Sequence, residues 1–381
     1  MKNNTITTNY EKIIASLNSI NPIAYAHTRN YVDGAVTNLS PYISRGVLST
    51  RQVMESILQN GYCIDEAEKL IQELAWREYF QRVWQFLEDG MFEDIRLCYN
   101  GIQHTKIPQA ILEANTGIDA IDKAIHQLYQ TGYMHNHVRM YTASLACNIA
   151  KGHWQVPANW MYYHLLDGDL ASNTCSWQWV AGTFSSKKYY CNQENINKYT
   201  SSTQSNTYLD VDYSLLADGK IPTQLQTLTK PVFNTILPQK KFPVIDKDLP
   251  VLLYNSYNLD PLWRSNILAN RILVLEPSHF KQFPVSEKVL AFILELAHNI
   301  EGIQIFTGEV SELTALQQVP VVYSKEHPAF KHYPGIKDER EWMFPEVKGY
   351  HNSFFSFWKK CKRQLQKKEH SPLHFTFTLA S

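Results

Sequence analysis

Polar and charged side chains recur at helical spacing inside apolar sequence between Gly132 and Trp179. The two segments read GYMHNHVRM and LLDGDLASNTCSWQW, so Asp, Asn, Arg and Trp stand among residues typical of a protein core. Charged and amide groups are rarely buried unless they are paired or bound to something. The spacing nevertheless places these polar groups in segments that otherwise look buried, which is unusual for an ordinary protein core. The sequence therefore predicts a cofactor site inside a helical domain.

The composition of the 381-residue chain narrows the classes of protein it could be. Lys plus Arg and Asp plus Glu number 36 each, so a polyanion could bind only at a local basic patch. Its 9 Trp and 22 Tyr suit a site for flat rings. The six cysteines lack metal-binding spacing, and no apolar run is long enough to cross a membrane. We expect a soluble, cytoplasmic, monomeric protein with reduced thiols and no membrane association.

Apolar periodicity divides the chain into two parts. Helical spacing dominates up to about residue 195, as in Ala67–Leu87, Asp119–Tyr129 and His135–Ala150, and Gly132 fits a helix C-cap. Later come β-branched runs at 251–257, 271–277, 303–308 and 319–324, with an amphipathic helix at 285–300. This alternation predicts a small parallel, Rossmann-like α/β domain. The predicted class is α + α/β, with a helical domain at 1–210, a linker at 211–249 and an α/β domain at 250–381.

Two clusters in the helical part carry candidate chemistry before residue 100. Ser40 followed by Pro41 fits the N-cap and first residue of a helix, whose backbone N–H groups suit a phosphate. An ordinary capped helix explains the same pattern. Glu73, Trp76 and Arg77 share a helix face, for which a surface ion pair beside a core tryptophan is the alternative.

Two further clusters lie within the segment described first. Asn136, Arg139 and Met140 share one helix face of mixed polarity. The last cluster is DGDLASNTCSWQW at 167–179, whose Asp-Gly-Asp turn is also compatible with a solvated loop or a weak divalent-metal site. Because the ligand pattern of a calcium loop is absent, we expect no metal.

Together the four clusters resemble the flavin-binding helical domain of the DNA photolyase/cryptochrome family. The similarity covers about residues 25–183. It rests on motifs in the same order and at near-constant spacing, namely Tyr25 twelve residues before the Thr of TNLSPY, then ELAWRE, TGYMHN, DGDLASN and WQW.

The resemblance implies bound FAD, whereas no motif specifies an antenna chromophore. The implied FAD-binding residues are Tyr25, Thr37, Asn38, Leu39, Ser40, Arg77, Arg139, Asp167, Asp169 and Asn173. The first five would hold the phosphates and ribityl chain, and Arg77 would add charge near the flavin. Arg139 and Asp167 would form a salt bridge over the isoalloxazine. Asp169 would accept from flavin N3–H, and Asn173 would face N5.

The resemblance also implies a pocket for a flipped-out pyrimidine dimer. Its implied residues are Glu73, Trp76, Asn136, Met140 and Trp179. Stacking on tryptophan offsets part of the cost of extruding the lesion, and Glu73 would hydrogen-bond a dimer carbonyl. The implied catalytic set is Glu73 and Asn173, with Trp177 and Trp154 carrying electrons to the flavin.

The implied activity is that of a deoxyribodipyrimidine photo-lyase, a carbon–carbon lyase that repairs damaged DNA with FAD and blue light. The alternative is a cryptochrome-like photoreceptor that binds FAD without repairing DNA. A helical scaffold that has lost flavin is disfavoured because Arg139, Asp167, Asp169 and Asn173 are all present.

The chain departs from the family pattern at several places. His137 stands where dimer photolyases usually carry Arg, and Cys175-Ser176 replaces a Gly-Gly. No tryptophan stands at the third position of the electron path, for which Tyr99 is the nearest substitute. The α/β pattern follows the helical domain, although the family places its antenna domain first. A circularly permuted arrangement and an unrelated α/β domain are both compatible with this order. The basic tail, with Lys359, Lys360, Lys362, Arg363, Lys367 and Lys368, fits either DNA phosphates or a solvated face.

Overall fold

The helical part of the protein is built around one long helix. The computed structural model describes residues 6–96 and 101–369. Within these ranges the first helices are α1 (Tyr10–Leu17), α2 (Pro22–Thr28), α3 (Ser40–Ser44), α4 (Thr50–Gln59) and α5 (Ile64–Leu87). The next are α6 (Gln109–Leu112), α7 (Asp119–Thr131), α8 (Asn136–Ser144), α9 (Gln155–His164), α10 (Leu170–Ala181), α11 (Gln193–Thr200) and α12 (Tyr213–Leu216). A π-helical turn, Leu145–Ile149, continues α8.

The local sequence accounts for the start and end of the long helix. A capping box between Cys63 and Glu66 begins α5, and its first turn is acidic, which complements the helix dipole. The helix ends where Glu88 adopts a left-handed φ of 52°. Similarly, Gly132 closes α7 with a φ of 72°, as its position in the sequence predicts.

A short two-stranded sheet links the helical part to sequence predicted as linker. Strand β1 (Ile107–Pro108) pairs antiparallel with β2 (Leu228–Thr229). Part of the 211–249 segment therefore packs on the helices, and α12 also lies in it.

The second half of the chain forms a parallel five-stranded sheet. Its strands are β3 (Val251–Tyr254), β4 (Asn270–Leu275), β5 (Ile303–Thr307), β6 (Val322–Lys325) and β7 (Ile336–Asp338), in the order β5-β4-β3-β6-β7. Helices α13 (Pro277–Gln282), α14 (Glu287–Ala297) and α15 (Phe354–Glu369) accompany it. The predicted α + α/β class is confirmed. Strand β7 and helix α13 were not predicted, because each is too short to carry a periodic signal.

The two halves share a continuous apolar core. Buried residues of α5 belong to the same cluster as the strands β3 and β4 and the helix α15. Polar contacts reinforce this interface. The Tyr162 and Tyr257 hydroxyls lie 2.6 Å apart. The Glu78 carboxylate accepts from the backbone N–H groups of Met343 and Phe344 at 2.8 and 3.0 Å. The α/β domain is therefore fixed against the helix that carries Glu73, Trp76 and Arg77.

The basic helix α15 is divided between the core and the surface. Phe354, Phe357 and Trp358 are buried, whereas Lys359, Lys360 and Arg363 are exposed. Lys362 donates to Glu68 of α5 at 2.8 Å. Among the described residues no helix combines the length and the apolar character needed to cross a membrane.

Candidate functional site

Three helices each present a partly exposed face that carries residues of the predicted site. On α5 this face contains Glu73, Trp76 and Arg77. On α8 and α10 it contains Asn136, Arg139, Met140, Ser172, Asn173, Ser176 and Trp179. Most other residues of α10 are buried, and α10 packs against both α5 and α8. These partly exposed faces carry most of the residues named for the predicted site.

Arg139 and Asp167 form the buried ion pair of this site. The Arg139 Nη2 atom lies 3.0 and 2.9 Å from the two Asp167 carboxylate oxygens, and its Nε donates to the Met134 carbonyl at 2.7 Å. Burial alone would raise the pKa of Asp167, but Arg139 and a hydrogen bond from Ser40 outweigh it and lower the pKa. The carboxylate is therefore ionised, and the guanidinium plane is held in one orientation.

Asp169 joins α10 to α5. Its Oδ1 accepts from the Ser172 backbone N–H at 2.7 Å and so caps α10. Its Oδ2 accepts from Gln81 Nε2 at 2.7 Å and lies 3.4 Å from Arg77 Nη2. Both carboxylate oxygens are thus engaged, and Asp169 is only 4% exposed.

Asn173 and Arg77 are each oriented by one further hydrogen bond. Asn173 Nδ2 donates to the Ala158 carbonyl at 3.0 Å. Arg77 Nη2 donates to Ser44 Oγ at 2.8 Å, and Ser44 Oγ donates to the Asp167 carbonyl at 2.7 Å. These bonds hold both side chains in place before any ligand binds.

The predicted phosphate residues differ in one detail from expectation. Helix α3 begins at Ser40, and Leu39 occupies the N-cap position without a side-chain cap bond, so the predicted N-cap role of Ser40 is wrong. The Ser40 hydroxyl instead bonds to Asp167, which competes with capping. Asn38 is left-handed with a φ of 55°, and the Leu39 N–H donates to Thr37 Oγ1 at 3.4 Å.

Tyr25 and Glu73 meet on the α2 side of the site. Burial, reinforced by the Glu73 charge, raises the pKa of Tyr25, so its hydroxyl remains a donor. Glu73 Oε1 lies 3.4 Å from Arg29 Nε. Burial raises the pKa of Glu73 although Arg29 opposes the shift.

The predicted substrate residues are not equally accessible. Asn136 and Trp179 are exposed, and Met140 is partly exposed. Trp76 is stacked face to face on Phe354 of α15, with ring centroids 3.7 Å apart and planes 10° apart. One face of the predicted stacking platform is therefore covered by the protein itself.

The predicted electron path is only partly described. Trp154 and Trp177 are both 3% exposed, and Trp154 Nε1 donates to Asp94 Oδ1 at 2.7 Å. Tyr99, the predicted third member, lies outside the described residues. At the departure Cys175-Ser176, the cysteine is buried and the serine is exposed.

His137 does not supply the positive charge of the arginine that it replaces. Its ring contacts Tyr199 at 4.7 Å and Tyr141 at 5.0 Å. Burial, together with Arg29, lowers the pKa of His137 to about 4. The imidazole is therefore neutral at pH 7 and acts as an aromatic packing group.

The low pKa of His137 predicts how stability depends on pH. Between about pH 6.5 and 4 the unfolded chain binds more protons at this group than the folded chain, so stability rises with pH in this window. We expect His137→Gln to reduce the loss of unfolding free energy on acidification by roughly 2–4 kcal/mol, as measured by urea unfolding across the window. Equal slopes for His137→Gln and the unmodified protein would contradict the assignment.

Several residues of the site were missed in the sequence. They are Arg29, Ser44, Gln81, Asp94 and Phe354. Gln81 alone carried a usable signal, since it lies four residues after Arg77 on the same face of α5. The others come from distant segments, and their contacts depend on tertiary packing.

Comparisons with known proteins match the part of the chain that carries this site. A family model described as the FAD binding domain of DNA photolyase matches residues 70–212. The helical part of the chain is therefore similar to the FAD binding domain of DNA photolyase. The match contains α8, α10 and α5 from residue 70 onward, and therefore Arg77, Arg139 and the 167–179 cluster.

Similar proteins cover only part of the chain. The deoxyribodipyrimidine photo-lyase of Vibrio cholerae is 32% identical over 155 residues, covering 39% of this chain and 33% of its own. That of a Synechococcus species is 32% identical over 170 residues, covering 42% of this chain and 35% of its own. A Synechocystis cryptochrome structure is 26% identical with a TM-score of 0.46, covering 50% of this chain and 43% of its own. The chain thus spans about a third of the length of the curated relatives it matches.

Proposed function

We propose that this protein binds FAD in its helical domain and uses blue light to split pyrimidine dimers in DNA. The observation that supports this most is that α10 keeps both Asn173 and Trp179 accessible although most of its other residues are buried. On this proposal Asn173 serves the flavin and Trp179 serves the lesion. The cofactor and the substrate would then border one space, as direct electron transfer requires.

The donor set of the helical domain fits FAD. Arg139 and Asp167 provide an oriented ion pair for a flat polar ring, and Asp169 is an acceptor held from three sides. The hydroxyls of Tyr25 and Thr37 suit the phosphates and ribityl chain, whereas the Ser40 hydroxyl, which donates to Asp167, can only accept from the ribityl chain. When bound, FAD would supply the electron under blue light. The protein would orient the ring, and α5, α8 and α10 would exclude water from it.

Glu73 and the accessible side chains of α8 and α10 suit a flipped-out pyrimidine dimer. The raised pKa of Glu73 makes its carboxyl easier to protonate, and a protonated carboxyl can donate to a dimer carbonyl. Asn136, Met140 and Trp179 are accessible. Stacking on Trp179 is worth about 1–3 kcal/mol per base.

An absorption spectrum and a repair assay test the proposal. Purified protein should be yellow or blue, and blue light with reduced enzyme should restore an oligonucleotide that contains a cyclobutane dimer. A colourless protein that takes up no FAD would refute the proposal as a whole. If the protein binds flavin but repairs neither a cyclobutane dimer nor a (6-4) product, the proposed FAD binding stands and the proposed repair activity is refuted.

Replacing Glu73 tests the role of the substrate pocket. We expect Glu73→Ala to slow repair at least about tenfold, since a hydrogen bond to a charged group contributes about 1.5–3 kcal/mol. The repair rate under saturating light measures this effect. Glu68→Ala is a matched control, because Glu68 lies on the same helix and pairs with Lys362 away from the site. Equal rates for both variants would remove Glu73 from the proposed mechanism.

A second candidate function is a cryptochrome-like photoreceptor. The stack of Trp76 on Phe354 favours it, because the face that would receive a lesion is covered by α15. The neutral His137 also favours it, since this position provides no cation for a DNA phosphate. The repair assay with fully reduced enzyme separates the two candidates.

A further inference from the structure

A chain of hydrogen bonds connects the α/β domain to Asp169 through the domain interface. Arg340, which follows β7, donates from Nη1 to Gln81 Oε1 at 2.5 Å. Gln81 in turn donates from Nε2 to Asp169 Oδ2 at 2.7 Å. The two domains therefore meet at a side chain that borders the proposed flavin site.

Arg340 is held firmly on its own side of the interface. Its Nε donates to Glu326 Oε2 at 2.8 Å, and its guanidinium lies 4.5 Å from the Trp342 ring. The Arg82 guanidinium lies 3.5 Å from the same ring. Because Gln81 is only 7% exposed, its amide is held between two partners, the donor Arg340 on one side and the acceptor Asp169 on the other.

The orientation of the Gln81 amide determines whether Asp169 receives a hydrogen bond from it. With its carbonyl toward Arg340, Gln81 must present its NH₂ group to Asp169. Without Arg340, Gln81 Oε1 loses its charged donor, so the amide is less polarised and less firmly held against Asp169. The charge of Asp169 would then be balanced mainly by the Ser172 N–H and by Arg77 at 3.4 Å.

We infer that Arg340 is a positioning residue of the flavin site, which acts through Gln81 to hold Asp169 and to offset its negative charge. The inference rests on the proposed function, since it requires FAD beside Asp169. Reduced flavin carries more negative charge than oxidised flavin, so the offset favours the reduced form. The α/β domain would thereby adjust the reduction potential of a cofactor bound entirely by the other domain.

The test compares reduction potentials and FAD affinities of variants of the full chain. For Arg340→Met we expect binding of reduced FAD to weaken about tenfold more than binding of oxidised FAD. This ratio corresponds to a two-electron potential lower by about 30 mV. Arg264→Met is a matched control, because Arg264 pairs with Asp338 and stacks on Tyr323 within the α/β domain. Its potential should equal that of the unmodified protein.

A double-mutant comparison separates the hydrogen-bond chain from a general charge effect. If Arg340 acts through Gln81, Arg340→Met should change the potential little in a Gln81→Met background. If Arg340→Met shifts the potential by the same amount in the Gln81→Met background, the inference is overturned. Such a result would mean that the charge of Arg340 acts at a distance and does not need Gln81. If Arg340→Met does not fold, Gln81→Met alone decides, and an unchanged potential overturns the inference.

The outcomes distinguish this inference from the proposed function. An unmodified protein that binds no FAD overturns both. FAD binding with the same potential in Arg340→Met and the unmodified protein overturns the inference and leaves the proposed function standing. A lower potential in Arg340→Met alone, absent from Arg264→Met, supports the inference.

Discussion

Replacing Asp167 by Ala is expected to empty the flavin site. The change leaves the Arg139 guanidinium without its carboxylate, and Ser40 loses a hydrogen-bond acceptor. Removing one partner of a buried ion pair costs about 3–5 kcal/mol. The Arg139 side chain keeps 20% exposure, so we expect the lower end of this range. FAD bound per protein, measured by absorbance after purification, should fall at least about tenfold, which is equivalent to about 1.4 kcal/mol of binding.

The specificity of this effect can be checked within the same chain. Asp338→Ala breaks the ion pair with Arg264 in the α/β domain and should leave FAD occupancy unchanged. Asp167→Asn keeps the shape of the side chain and removes its charge, so its occupancy should lie between those of the Ala variant and the unmodified protein. Full FAD occupancy in Asp167→Ala would contradict the assignment of the Arg139–Asp167 pair to the flavin.

Replacing Phe354 by Ala is expected to uncover Trp76. The substitution removes the stacked ring and leaves a cavity at a side chain that is 2% exposed. The stability cost of such a change is about 3–5 kcal/mol. If a lesion stacks on Trp76, its affinity should rise about tenfold, because stacking on an aromatic contributes about 1–3 kcal/mol per base. Titration with a dimer-containing oligonucleotide measures this affinity.

A neighbouring phenylalanine provides the matched control. Phe357 lies on the same helix, is fully buried, and contacts Tyr79 at 5.7 Å. Phe357→Ala should cost similar stability without changing DNA affinity. Equal DNA affinity in the two variants would show that Trp76 does not receive the lesion. It would then strengthen the photoreceptor candidate.

Local sequence signals were sufficient for much of the fold. The apolar period predicted α5, α7 and the strands at 251, 271, 303 and 322 to within a few residues, because each of these elements buries one face or is buried on both. The cap at Gly132 was also readable, since only glycine adopts a left-handed φ without strain. Ser40 misled the sequence analysis because a hydroxyl can cap a helix or bond elsewhere, and Asp167 competes for it.

The sequence by itself determined which residues are present at the site and which helix faces they occupy. Spacing places Glu73 beside Arg77, and Asp169 four residues before Asn173, whatever the rest of the chain does. Only the tertiary structure decided their partners. Arg340 meets Gln81 across 259 residues of sequence, Arg29 pairs with Glu73, and Phe354 covers Trp76. Such contacts depend on how two domains pack around α5, and helical spacing carries no information about that packing.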